Sequence, residues 1–525
     1  MWGWVGVRRG VGMGREAAPS FAPCVLGAWR GSRGGSGGDG EGAERAFGAW
    51  LERAGARGHW EVGRGANGRG AFATKALRRD EVCIEVPDAL VLTAEASVAG
   101  GALARAGIDE GADNRRTDAH ALVLALMAER CAGEASRWAP YIAMLPARVD
   151  HMPHEWPAKD LRLLEGTSTM RGLRGAVAPG AGGQLPSRVG DGFDTFCVPF
   201  AAKHGASFGF PAERDELYDL FSWATGVVAS YSFSLGDNHE SMVPVWDMLN
   251  HVSGAANVRL NHDAARGVLQ MLATREIAQG EELVNSFGEL PNGELLRRYG
   301  FVEEPLPASG GGGRVSRHPH ERALLRSKAV VKAAAQLASW QNKREGTRRR
   351  RLVVRRGLFR PYFEVRQAPG GAGGVEPEPA LAAFLYLLLC SPTEFERIAR
   401  GGAEGARGKT SEAGTWHAVA VALAGACARE VEALTDLDQG FDPINDRQRA
   451  ASVVVRAERG CLLELAHACE AGEAAARLQA RGWCARRARN FLSFRRWALV
   501  RNPGGEGMKL VHRTDAVRHL RAFLK

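Results

Sequence analysis

The stretch V-P-V-W-D-M-L-N-H, residues 243–251, sets an amide, an imidazole and a carboxylate directly beside apolar and aromatic residues. Asn250 offers a donor and an acceptor, and His251 a ring nitrogen together with backbone groups. Downstream lie N-S-F-G (residues 285–288) and N-G-E-L-L-R-R-Y-G-F (residues 292–301). Residues 268–274 and 283–287 read as strands around a turn at 278–281. Asn292 is expected to cap a short helix that runs through Tyr299 and stops at Gly300.

Working upstream, residues 46–87 read as an entry helix, with Phe47, Trp50 and Leu51 at helical spacing, followed by short strands. The strands include G-R-G-A-F-A-T (residues 68–74) and V-C-I-E-V (residues 82–86). A G-x-G-x-x-G pattern at residues 63–68 has no Rossmann βαβ context and is not read as a dinucleotide site. Residues 94–225 turn helical, interrupted at 171–192 by an aperiodic Gly/Pro/Ala stretch expected to be a long disordered loop. Residues 73–81 echo residues 273–281, which fits a β domain split by a helical insertion. Beyond residue 305 the pattern is mainly helical.

Taken in order, five segments carry a family likeness: residues 68–74; W-A-P-Y-I-A-M-L-P (138–146) with L-L-E-G-T (163–167); F-S-W-A-T-G-V-V-A-S-Y-S-F (221–233); residues 243–251; and residues 285–301. Together they resemble the SET-domain methyltransferases typified by Rubisco large-subunit lysine methyltransferase and its ribosomal-protein and non-histone relatives. More loosely, residues 380–395 and 492–509 resemble parts of the helical substrate-binding domain of that class.

The resemblance implies an α+β fold: a SET β-core (46–93 and 226–304) split by a helical insertion (94–225), then a mainly helical domain over 305–525. It also implies S-adenosyl-L-methionine (AdoMet) as cofactor, and a non-histone protein presenting a lysine as substrate. Gly68, Arg69, Gly70, Tyr231, Asn250 and His251 fall at cofactor-binding positions. Trp246 and Asp247 fall at the substrate channel, and Phe287 and Tyr299 at catalytic positions. Gly-rich backbone at 68–70 suits close approach of main-chain groups to a ligand. An aromatic channel suits the chemistry, because a lysine amine must lose its proton before attack and burial lowers its pKa. Trp223 and Phe233 are aromatic as well, but read better as core.

Two positions depart from the class. Phe287 stands where the class has Tyr, keeping the ring and losing the hydroxyl. Tyr231 stands where the class has an Arg that helps hold the cofactor. These departures support an alternative reading, a protein-binding module on a SET scaffold with weak or lost activity.

Composition sets further bounds. The net charge of +10 comes from 69 basic residues, of which nine are Lys and the rest scattered Arg. A clustered nucleic-acid footprint is not visible, so nucleic acid is not the expected partner. Nine widely spaced Cys with no C-x-x-C pair argue against a zinc site or a disulfide framework. His151 and His154 read as surface residues, and no metal is expected. No apolar run reaches the ~20 residues that span a bilayer. Residues 1–45 are Arg-rich, acid-poor and Gly/Ser-rich, which suits a transit peptide and a chloroplast location. Cytoplasm or nucleus is the alternative, the latter drawing on the basic run at 348–351. The sequence carries no signal for oligomeric state.

Overall fold

In the computed structural model, the described residues are 39–65, 68–108, 115–173, 192–235, 239–304, 318–338, 343–368, 374–400, 413–437 and 441–481. Residues 1–38 of the leader, most of the 171–192 stretch, the Gly run at 310–313 and residues 492–509 lie outside them.

The first helix, Asp39–Arg53, starts before the expected entry point. Phe47 and Leu51 bury against the main core, and helix propagates backward from that anchor into the Gly-rich segment. Four short strands follow: β1 (Arg57–Gly58), β2 (Trp60–Gly65), β3 (Gly68–Ala73) and β4 (Val82–Pro87). Gly63 and Gly65 face the Phe72 ring across the β2–β3 hairpin, where a Cβ would approach its carbons to 2.6 and 2.9 Å. The G-x-G-x-x-G pattern therefore makes room for a ring.

The helical insertion includes Arg115–Ala132, whose Leu122, Leu126 and Met127 are fully buried. It closes with Arg214–Tyr231, whose buried face includes Phe221, Val227 and Val228. The remaining strands are β5 (Ser232–Leu235), β6 (His239–Met242), β7 (Asn250–His251), β8 (Val258–Asp263), β9 (Val268–Ala273) and β10 (Glu282–Asn285). Among the described residues, one sheet has the order β1-β4-β9-β8 and another β2-β3-β10-β7. Each mixes strands from both sides of the insertion, so neither half completes either of these two sheets alone.

The C-terminal region is helical around a small sheet that the sequence reading missed: β11 (Arg322–Arg326), β12 (Tyr362–Gln367) and β13 (Val375–Pro377). Its core includes the helices Pro379–Leu389, Ala413–Val431 and Asp446–Glu470. In the basic run at 348–351, Arg348 and Arg351 are exposed and Arg349 is buried. The run lies inside the helix Lys343–Arg355, where Arg349 pairs with Glu345 at 2.7 Å and donates to the Leu387 carbonyl at 3.1 Å.

Residues 168–173, expected to run into a loop, form the helix Ser168–Leu173. Its first backbone N–H donates to Glu458, 290 residues away, at 2.9 Å. Arg171 pairs with Glu430 at 2.9 Å and donates to the Leu324 carbonyl at 3.1 Å. A cap and an ion pair supplied from the C-terminal region stabilise a helix that Gly- and Arg-rich local sequence does not specify.

Candidate functional site

Strand pairing assembles the site. β10 runs antiparallel to β3, with Leu283 opposite Ala71, and parallel to β7, with Asn285 opposite His251. Residues 68–74, 243–251 and 285–288 thus meet in one sheet.

The Asn250 amide donates to the Arg69 carbonyl at 3.1 Å and to Glu282 Oε1 at 2.6 Å. It ties the G-R-G backbone to β10. Gly70 is required there, since a Cβ would lie 2.6 Å from Glu282 Oε1. Gly68 has φ of +90°, a conformation L side chains rarely adopt.

The His251 ring makes its hydrogen bonds within the protein. Its Nδ1 accepts the Phe287 backbone N–H at 3.1 Å, so the proton sits on Nε2, which faces Ser253 Oγ at 3.1 Å. Behind it runs a buried polar chain. Ser253 Oγ lies 3.0 Å from His318 Nε2, which lies 2.7 Å from Glu303 Oε2. Glu303 is held well below the ordinary carboxylate range, at about 2: burial opposes this, but bonds from His318 and Ser253 outweigh it. Asn292 does not cap its helix. Pro291 holds the cap position, and the Asn292 side chain accepts the Glu303 N–H at 2.7 Å and donates to the Glu303 carbonyl at 3.0 Å. Sequence reasoning missed Ser253, Glu282, Glu303 and His318, because only long-range pairing brings them to the motifs.

Above His251 stand stacked rings. Phe287 lies 5.0 Å from the imidazole centroid at an interplanar angle of 19°, and Tyr299 lies 4.7 Å from Phe287. The helix Asn292–Tyr299 delivers Tyr299, and Gly300 ends it at φ +76°. Gly300 also leaves room for His151, whose Cδ2 would sit 2.3 Å from a Cβ there. His151 and His154 therefore pack inward, and burial pushes the His151 imidazole down to about 4. Burial raises the Tyr299 phenol, which stays protonated as the hydroxyl of this aromatic group.

A second buried group lies at the turn Trp246–Met248. Trp246 is fully buried, with the Phe233 ring edge-on at 5.6 Å, and its Nε1–H has no partner among the described residues. The Tyr141 hydroxyl donates to Asp247 Oδ2 at 2.8 Å, and the whole carboxyl is buried. Burial pushes the Asp247 carboxyl up to about 7, with Tyr141 and Arg69 pulling the other way. The Tyr231 phenol is raised to about 12 by burial, with Arg69 opposing. Just before, Val245 is β-branched at φ +75°, a strained conformation of the kind found at functional sites. Trp223 is elsewhere: its indole donates to the Pro146 carbonyl at 2.8 Å, with Arg130 over the ring. It is core, as its sequence context implied.

Residues 68–288 match the SET domain family model. Human N-lysine methyltransferase SETD6 is 31% identical over 251 residues, which is 46% of this chain and 49% of that protein. Ribosomal lysine N-methyltransferase 4 of Saccharomyces cerevisiae is 27% identical over 263 residues, 45% of this chain and 49% of that protein. The chain thus spans about half the length of the curated relatives it matches. A crystal structure of the SET domain of LSMT bound to lysine and AdoHcy superposes with a TM-score of 0.57 at 19% identity, covering 82% of this chain and 92% of that one. At that identity the likeness shows the fold.

Proposed function

We propose, from the SET domain that residues 68–288 form, that this protein is an AdoMet-dependent N-methyltransferase acting on a lysine of a non-histone protein. The observation that carries this reading is the sheet β2-β3-β10-β7, which gathers G-R-G, N-H and N-S-F-G around stacked aromatic rings.

The residues present fit the cofactor. Gly70 lets the Glu282 carboxylate and the Asn250 amide close on the strand, and Asn250 fixes the Arg69 backbone in place. When bound, AdoMet supplies a methyl group on a cationic sulfur. Gly68, Arg69, Gly70, Tyr231 and Asn250 would hold it. The chain itself contributes desolvation and alignment. The Phe287 and Tyr299 rings exclude water from an entering lysine and favour its neutral amine. The protonated Tyr299 hydroxyl can hydrogen-bond that amine. His251 fixes the Phe287 backbone, and Ser253, His318 and Glu303 hold His251.

Incubating the purified chain with labelled AdoMet and a whole-cell extract, then locating the label by mass spectrometry, tests this. Label on lysine supports it, and no transfer under conditions where a related enzyme works counts against it. Phe287 is the specific observation favouring the second reading, a binding module with weak or lost activity. The composition of residues 1–45 supports a chloroplast address, and fusing that segment to a fluorescent reporter tests it.

A further inference from the structure

The helix Lys343–Arg355 lies outside the SET domain match and contributes nothing to the site described above. One of its faces, with Gly346, Arg349, Leu352 and Val353, is buried. Leu352 and Val353 belong to the C-terminal core. The opposite face carries Lys343, Arg344, Arg348, Arg351 and Arg355, all exposed. These five cations line a groove of about 850 Å³, which Thr347 and Val354 complete. Among the described residues, no carboxylate lines it.

This arrangement costs the helix stability. Arg344 and Arg348 stand four apart, as do Arg351 and Arg355, and like charges at that spacing repel on a helix surface. Lys343 and Arg344 also occupy the first turn, where the macrodipole disfavours cations. Glu396 answers Arg348 at 3.0 Å, while Glu345 is turned to the buried Arg349.

We propose that this face docks an acidic segment of a partner protein, a run of Asp and Glu carboxylates laid along the groove. Four of the five cations are Arg, whose planar fork matches a carboxylate with two parallel hydrogen bonds. The helix is about 20 Å long, a span that about six extended residues cover. The lining holds no aromatic ring on which a nucleic-acid base could stack. Val354 is its one apolar residue, too little to enter a membrane surface. A second copy of the chain, at net charge +10, is repelled as a whole. The proposal goes beyond the methyltransferase reading and does not depend on it, since binding is measured without cofactor.

The test is fluorescence anisotropy on the full chain with a labelled peptide of about eight Glu residues, long enough to span the groove. At roughly 50 mM salt, where charges are weakly screened, the native chain is expected to bind it, with affinity falling as salt rises. Arg344→Glu combined with Arg351→Glu is expected to weaken binding by about tenfold or more. The same change of charge at the exposed Arg53 and Arg105 should leave it within about twofold. The thermal midpoint of the groove variant should hold or rise, because each new carboxylate gains an Arg four residues on, Arg348 or Arg355. If that variant does not fold, Arg344→Gln with Arg351→Gln carries the test, with a smaller loss expected. A native chain that ignores the peptide, or equal losses in groove and control variants, overturns the proposal. Tighter binding of oligothymidylate or of phosphatidylserine vesicles than of the peptide overturns it in favour of those partners. A native dimer that the groove variant disperses gives the face to a second copy and overturns it too.

Discussion

Leu77 and Ile277 exchange both backbone hydrogen bonds, Leu77 N–H to the Ile277 carbonyl at 2.8 Å and Ile277 N–H to the Leu77 carbonyl at 2.9 Å. The pairing extends symmetrically outward. Ala73 N–H donates to the Glu281 carbonyl and Ala273 N–H to the Glu81 carbonyl, each at 2.9 Å. The two sequence echoes lie against each other, and this contact closes the SET core across its insertion. Ile277 is 1% exposed. Ile277→Ala is expected to destabilise by about 2–5 kcal/mol through cavity formation. Ile444→Ala, at an 81% exposed position, should cost almost nothing. Urea unfolding of both variants checks this, and equal effects would show that the seam is not part of the cooperative core.

Phe287 presents a ring without a hydroxyl, 4.7 Å from Tyr299. If the native chain is a slow enzyme, Phe287→Tyr should raise single-turnover methyl transfer by about tenfold, the worth of one hydrogen bond of ~1.4 kcal/mol. Fast native turnover that the substitution leaves unchanged would remove position 287 from the catalytic account.

Tyr299→Phe removes the hydroxyl that remains. We expect kcat to fall by about ten- to a hundredfold, as for a hydrogen bond made to the reacting group. KM and the thermal midpoint should shift little. A change in KM alone would assign Tyr299 to substrate binding.

Gly70→Ala places a Cβ 2.6 Å from Glu282 Oε1, on the carboxylate that accepts from Asn250. Cofactor affinity should drop by about tenfold or more, since the brace of the G-R-G backbone is displaced. Gly48→Ala is the contrast: nothing lies within 4 Å of its Cβ in the helix Asp39–Arg53, so it should stabilise by about 0.5–1 kcal/mol and leave affinity unchanged. Calorimetry and thermal unfolding of the pair read both effects.

The pH dependence follows from His151. Its folded pKa of about 4 lies below the ordinary 6.5, chiefly through burial, so the unfolded chain binds the proton first. Stability from this site is complete above about pH 6.5 and declines as pH falls toward 4. Asp247 and Glu458, both raised to about 7 by burial, act in the opposite sense over part of that window. The readout is therefore a difference: the thermal midpoint of His151→Asn should fall less than that of the native chain between pH 7 and 4. Parallel curves would mean that the buried ring does not titrate as its surroundings dictate.

By itself the sequence determined which segments make the core and which carry chemistry. An apolar run before a turn marked β9, helical spacing marked Phe47 and Leu51, and the ordered motifs marked Asn250, Phe287 and Tyr299. These are local signals, written in residue type and period. What the side chains do there was decided by tertiary structure. The His251 ring holds the Phe287 backbone, with Ser253, His318 and Glu303 lined up behind it, partners that no local pattern announces. The helix Ser168–Leu173 looked like loop until Glu458 capped it from 290 residues away. Period and composition record what a segment can bury. A polar side chain's partner, its protonation and the direction of its charge depend on groups that only a closed chain brings within reach.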